Sequence, residues 1–366
     1  MHNRLFYQIA LTMIPSVGAV MAKQLISYCG SPEAVFSASR KNLLKIPGFG
    51  PKNINHIKAD ICFPKAEKEI NFILKNDIQT AYYLDSNYPA RIKPYNDAPI
   101  LLYYKGKNVL NEHRNIAIIG TRKPTEYGKE MVKQIIEELK PYDITLVSGL
   151  AYGIDVSAHK IALENEIPNI AVLGHGLHTL YPAVHRKVAK RIIQDGLLLT
   201  EFSSQAKFDK ENFPQRNRII AGLADALIVA ESGESGGSII TANFANDYSK
   251  DVFAVPGRIN DPTSIGCNNL IKQHKAHLIN SVKDISYIMR WDVLQQEKQI
   301  QRSLFNELNE DEQTIIHILA DVNDLSIDEI MIKSNKTPSA TANDLLQLEF
   351  KGLLKSLPGK RYKLIK

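Results

Sequence analysis

The chain has 366 residues, 44% of them hydrophobic, and at roughly 150 residues per domain it can build two or three buried cores. No run of about 18 apolar residues is available to span a bilayer, and Met1-His2-Asn3-Arg4-Leu5-Phe6 has no signal-peptide character, so a soluble cytoplasmic protein without a membrane partner is expected. Three isolated cysteines, Cys29, Cys62 and Cys267, exclude a disulfide framework, and the net charge of +6 suits a polyanionic partner without requiring one.

The first 75 residues carry an internal repeat. Ile14-Pro15-Ser16-Val17-Gly18 is echoed 32 positions later by Ile46-Pro47-Gly48-Phe49-Gly50, with helical patterns on both sides. An apolar residue, a Pro/Gly turn and a new helix describe a helix–hairpin–helix unit, whose opening N–H groups suit a phosphate. A purely helical packing module reads the same way. Residues 76–114 form a Tyr- and Pro-rich connector with short strands, ending in Ile100–Tyr104.

From 115 to 290 the pattern changes. Short apolar runs at Ile116–Ile119, Ile144–Val147, Ile170–Leu173, Leu197–Leu199, Ala226–Ala230 and Val252–Val255 alternate with helical stretches, which predicts a mostly parallel, Rossmann-like α/β sheet covered on both faces. Residues 291–305 are Gln-rich and read as a linker. From 306 onward, Asn309 with Glu312, a helix start at Ser326, another at Thr337-Pro338 and a hairpin around Pro358-Gly359 predict a winged helix. Its end carries Lys351, Lys355, Lys360, Arg361, Lys363 and Lys366, which favours an acidic partner surface.

In an open α/β sheet, ligands sit beyond the carboxyl ends of the strands. Those positions hold Gly120-Thr121-Arg122, Ser148-Gly149, Gly174-His175-Gly176 and Gly236-Gly237-Ser238, small residues that let a ligand approach the backbone. There is no G-x-G-x-x-G, no P-loop and no G-x-S-x-G elbow, so dinucleotide, ATPase and serine-hydrolase chemistry have no anchor and no cofactor is expected. Lys210, Phe213, Arg216, Asn217 and Arg218 combine cations with an aromatic ring, the mixture that suits a single nucleic-acid strand. Asp155 and His159, four apart on a helix, read as holding the Ser148–Gly153 turn. His175, His178 and His185 lack the ligand pattern of a zinc site.

The ordered series Ile119-Gly120-Thr121-Arg122, Ser148–Asp155 with His159, Tyr181-Pro182, Phe213-Pro214-Gln215-Arg216-Asn217-Arg218, Ser235–Ala242 and Ala254-Val255-Pro256-Gly257 resembles the DprA/Smf family over about 115–280. The resemblance implies a single-stranded DNA-binding homodimer, not an enzyme, that hands the strand to a RecA-type recombinase in natural transformation. It also implies N-terminal helical and C-terminal winged-helix domains. On this resemblance Arg122 contacts the strand, Lys210 and Phe213 fill basic and aromatic positions, and Ser148-Gly149 and Gly236-Gly237-Ser238 make backbone anion contacts. Thr121 stands where the family usually has serine, His178 where it often has aspartate, and His185 where asparagine is frequent.

Two rivals compete. A nucleotide-processing hydrolase of the lysine-decarboxylase-like group needs P-G-G-x-G-T-x-x-E, but Ile239 and Ile240 replace its Gly-Thr and Asn243 is nearest its glutamate. A transcription regulator would read duplex through the winged helix.

Overall fold

The computed structural model describes residues 4–57, 59–291, 308–320, 324–351, 353–357 and 359–364. They divide into two compact units, Met1–Ile285 and Ser286–Lys366. Apart from Trp291, the expected linker at 291–305 lies outside the described residues, as do Pro358, Ile365 and Lys366. Among the described residues no helix is long and apolar enough to cross a membrane.

The first unit opens with α1 (Arg4–Thr12), α2 (Ala19–Cys29), α3 (Pro32–Ser37), α4 (Arg40–Leu43), α5 (Pro51–His56) and α6 (Ala59–Lys75). The two repeat copies are the turns that start α2 and α5: Gly18 and Gly50 are the extended N-caps, and Pro51 takes the first helical position. Ile14 and Ile46 are buried at equivalent places, so each turn is anchored in the core it shares with Phe6, Ile9, Leu25 and Val35. Ring contacts such as Phe6–Phe63, 4.9 Å between centroids, fill its centre.

The rest of the unit is built on a nine-stranded sheet ordered β1-β2-β6-β5-β4-β3-β7-β8-β9. The strands are β1 (Gln79–Tyr82), β2 (Leu101–Gly106), β3 (Arg114–Gly120), β4 (Ile144–Ser148), β5 (Asn169–Val172), β6 (Leu197–Thr200), β7 (Ala226–Glu231), β8 (Asp251–Ala254) and β9 (His277–Leu278). From β6 to β9 every pairing is parallel, and β4 and β7 are buried along their whole length, as strands covered on both faces must be. The covering helices are α7 (Glu126–Leu139), α8 (Ile154–Glu164), α9 (Arg186–Asp195), α10 (Asn212–Leu223), α11 (Gly237–Asp247) and α12 (Ile265–Lys272).

The chain winds from β3 out to β6, then returns across the sheet to place β7 on the other side of β3. The order therefore reverses between β3 and β7, where such sheets open a crevice. The segment 76–114 does more than connect. Its β2 pairs antiparallel with β6 and its β1 antiparallel with β2, extending the sheet edge.

A short α13 (Val282–Ile288) spans the boundary between the units. The second unit holds α14 (Glu310–Ala320), β10 (Leu325–Ser326), α15 (Ile327–Ser334), α16 (Pro338–Phe350), β11 (Leu354–Leu357) and β12 (Arg361–Leu364), with strand order β10-β12-β11. This is a winged helix. Asn309 and Glu312 cap α14 reciprocally, at 3.0 and 2.8 Å, and Ser326 with Glu329 does the same for α15. Within the basic end, Lys351 is paired with Glu312 and Arg361 with Asp324, while Lys355, Lys360 and Lys363 are exposed.

Candidate nucleic-acid interface

A crevice of about 630 Å³ opens at the point where the strand order reverses. One wall is the turn after β3. Its Thr121 N–H donates to the Glu231 carbonyl at 2.8 Å, and its carbonyl accepts from Ile154 N–H at 3.1 Å. Gly153, with φ +81°, makes that second contact possible, since a Cβ there would collide with the Thr121 carbonyl oxygen and the Arg122 backbone. Two turns thus lie directly on each other, and Arg122 stands exposed at the mouth.

The opposite wall is the start of α11, reached through Gly236 at φ +140°. Gly237 and Ser238 begin the helix, where the first-turn N–H groups have no helical acceptor and favour an anion. The Ser232 and Ser238 hydroxyls, 2.7 Å apart, and Thr241 Oγ1, donating to the Gly237 carbonyl at 2.8 Å, hold this wall in place.

Arg216 of α10 closes the back. It is 4% exposed, and its guanidinium donates to the carbonyls of Gly149 (2.8 Å) and Val172 and to Asn217 Oδ1 (3.1 Å). Asn217 in turn donates to the Gly237 carbonyl at 3.2 Å, tying α10 to the opposite wall. Burial lowers the Arg216 pKa to about 10, with Asp155 opposing and Arg122 reinforcing the shift, so the group stays cationic at neutral pH. Burial likewise raises the Asp155 carboxyl, while Arg216 pulls it back.

The outer rim is aromatic. The rings of Tyr181, Phe208 and Phe213 form an edge-to-face triangle, with centroids 5.3, 5.8 and 5.7 Å apart and interplanar angles of 69°, 61° and 74°. Phe208 is 51% and Tyr181 48% exposed, and Phe213 is half-buried beside Gly174, where a Cβ would lie 2.9 Å from its Cδ1. Lys210 is exposed on the same loop, which runs over residues 201–211.

The family model for DNA recombination-mediator protein A matches residues 79–290. A model of SAM-like helix–hairpin–helix tandems matches 9–61, and one of the DprA winged helix matches 304–360. Protein Smf of Synechocystis sp. is 31% identical, over 97% of this chain and 98% of that protein. The chain belongs to the DprA/Smf family. DNA processing protein DprA of Streptococcus pneumoniae is 42% identical over 55% of this chain and 71% of that one. An X-ray structure of the S. pneumoniae DprA superimposes with a TM-score of 0.68 at 32% identity, covering 78% of this chain and 98% of the other. A DprA from Helicobacter pylori, whose structure was described for its single-stranded DNA binding mode, gives 0.53 at 30% identity, covering 59% and 96%.

Of the site residues expected from the sequence, the crevice brings together Gly120, Thr121, Arg122, Lys210, Phe213, Arg216, Asn217, Gly236, Gly237 and Ser238. Three stand apart from it. Arg218 is 9% exposed and ion-paired with Glu201, away from the crevice, because two steps along a helix turn a side chain by about 200°. Ser148 is fully buried and its Oγ donates to the Ile118 carbonyl at 2.7 Å; the Gly149 N–H is taken by Asp155 Oδ2 at 3.2 Å. These two buttress the turn instead of offering it to an anion.

His159 and Asn169 bond at 2.7 Å in the core behind that turn, His185 bonds the Leu150 carbonyl at 2.8 Å, and His175 accepts from Tyr181 N–H at 3.1 Å. Sequence reasoning missed Phe208 and Tyr181 as the exposed part of the rim. Their signal was aromatic residues flanking Gly174–Gly176 and the Lys-rich loop.

Proposed function

We propose that this chain is a DNA-processing protein that binds single-stranded DNA in the crevice between β3 and β7 and acts as a binding protein, not an enzyme. One observation carries the reading: cations and helix-start amides line the same opening as an exposed aromatic rim. The first suit phosphates and the second an unpaired base, and only a single strand offers both along its length. The H. pylori relative supports this reading through the binding mode for which its structure was described. Delivery of the strand to a RecA-type recombinase during natural transformation, a homodimeric state and a cytoplasmic location complete the proposal.

Both rivals are disfavoured by particular residues. Asp155 is the one carboxylate among the described lining residues, and it is buried beside Arg216, which leaves base-releasing hydrolysis without the accessible carboxylate that the glutamate of that group would supply. In the winged helix, α16 holds no Lys or Arg and exposes Leu346 and Phe350, a poor face for the phosphates flanking a duplex groove. The test is equilibrium binding of the purified chain to a single strand, a duplex of equal length and a mononucleotide at matched salt. The single strand should bind tightest. Equal affinity for duplex removes the aromatic part of the model, and preference for the mononucleotide favours the hydrolase.

A further inference from the structure

The loop over 201–211 that carries Phe208 and Lys210 into the crevice is held from outside the sheet. Glu69 of α6, in the N-terminal helical part, is 1% exposed, and its carboxylate accepts three bonds from one loop residue. Ser204 N–H donates to both carboxylate oxygens at 2.9 and 3.0 Å, and Ser204 Oγ donates to Oε2 at 2.6 Å. One helical turn earlier, the Lys65 carbonyl accepts from Gln205 Nε2 at 2.7 Å. At the root of the loop, Glu201 is paired with Arg218 of α10.

Burying a carboxylate costs free energy that an apolar contact between the same two surfaces would avoid, so adhesion alone does not account for Glu69. What a carboxylate adds is direction: three charge-assisted bonds to one residue fix where the backbone passes and how it is oriented. Ser204 lies four residues before Phe208 and six before Lys210. Beyond it the loop is organised locally, by Asn212 Nδ2 on the Lys207 carbonyl and by Glu211 N–H on Asp209 Oδ1, at 3.0 and 3.1 Å. Phe208 then meets Tyr181, Phe213 and His175, so the tether at Ser204 acts by setting where the loop enters that aromatic cluster.

We propose that Glu69 is a positioning residue for strand binding: from the helical part of the chain it sets the aromatic and basic loop of the crevice through Ser204. This rests on the single-strand reading of the crevice.

The test uses the full chain, a labelled oligothymidylate, and hydrogen exchange of the free protein. In Glu69→Ala, exchange should rise across 203–211 and stay unchanged at 120–122 and 233–238. If release leaves the loop competent about a tenth of the time, affinity falls about tenfold. In a Phe208→Ala/Lys210→Ala background, Glu69→Ala should cost nothing further, which general destabilisation would not reproduce. Should Glu69→Ala fail to fold, Ser204→Ala/Gln205→Ala removes two of the bonds from the loop side and carries the same expectations in weaker form. A wild-type chain that ignores single strands sinks the crevice reading and this proposal with it. A wild type that binds, beside a folded variant with unchanged affinity, unchanged loop exchange or an equal loss in both backgrounds, overturns the proposal alone.

Discussion

Arg122 and Arg218 resemble each other in the sequence, yet removing them should have opposite consequences. Arg122 is exposed at the crevice mouth, so Arg122→Ala should delete one phosphate contact and leave the fold intact. For a single strand each contact contributes about 0.7 to the slope of log K against log salt, and a charge-assisted bond contributes about 1.5–3 kcal/mol, or roughly 10- to 150-fold in affinity. Arg218 is paired with Glu201 at side-chain exposures of 10% and 13%. Its removal leaves a carboxylate desolvated without a partner, a loss of about 3–5 kcal/mol of stability with no change in the salt slope. Replacing both charges, as Arg218→Met with Glu201→Gln, should recover much of that loss. The assay is fluorescence anisotropy on an oligothymidylate across a salt series, with urea unfolding of each variant. A folded Arg218→Ala that flattens the slope as Arg122→Ala does would refute the assignment of the two arginines to different environments.

Phe208→Ala and Phe213→Ala should each shrink the preference for single strand over duplex, at about 1–3 kcal/mol per stacked base, while the salt slope holds; competition between the two DNA forms reads this, and an untouched preference would exclude stacking. Gly153→Ala should lose at least about 2 kcal/mol of stability, since φ of +81° and the Thr121 carbonyl both oppose a Cβ, and strand binding should weaken as the Arg122 turn moves; thermal unfolding with a binding titration checks it. Burial holds folded His159 down to about 4, whereas the unfolded imidazole titrates near 6.5, so the unfolded state takes up its proton first as pH falls. Stability present at pH 7 should drop by about 2 kcal/mol by pH 5 through this group. Urea titrations at both values would show it, and an identical drop in His159→Gln would assign the effect elsewhere.

Six of the strands were legible because burial on both faces makes each a largely apolar run, β7 with Ala226–Ala230 being the plainest and β4 interrupted only by the buried Thr145. Strand β9 was not: its two residues, His277 and Leu278, are both exposed and carry no pattern to read. The antiparallel attachment of β1 and β2 was also invisible, because pairing with β6 is decided by residues far along the chain. Within the site, glycines forced by close backbone contacts, such as Gly120 and Gly153, showed as small residues after strands. The fate of Arg218 depended on Glu201, 17 positions earlier, and nothing local announces a buried partner across a loop. The spacing of two from Arg216 allowed the two arginines to point differently without saying which one would leave the opening.

The attachment of β2 to β6 also sets an order of assembly. Leu102 and Tyr104 share their core with Leu197 and Leu199, whereas Leu101 and Tyr103 pack with the helical part, and Leu197 lies 91 positions after Gly106. At about 5–20 residues per second a ribosome needs roughly 5–20 seconds to supply that partner. Through that interval the nascent chain displays Leu102 and Tyr104 on an incomplete strand, the kind of edge that recruits other chains. The helical segment before it can close its own core meanwhile with Leu101 and Tyr103, so the vulnerable surface during synthesis is the other face of that strand.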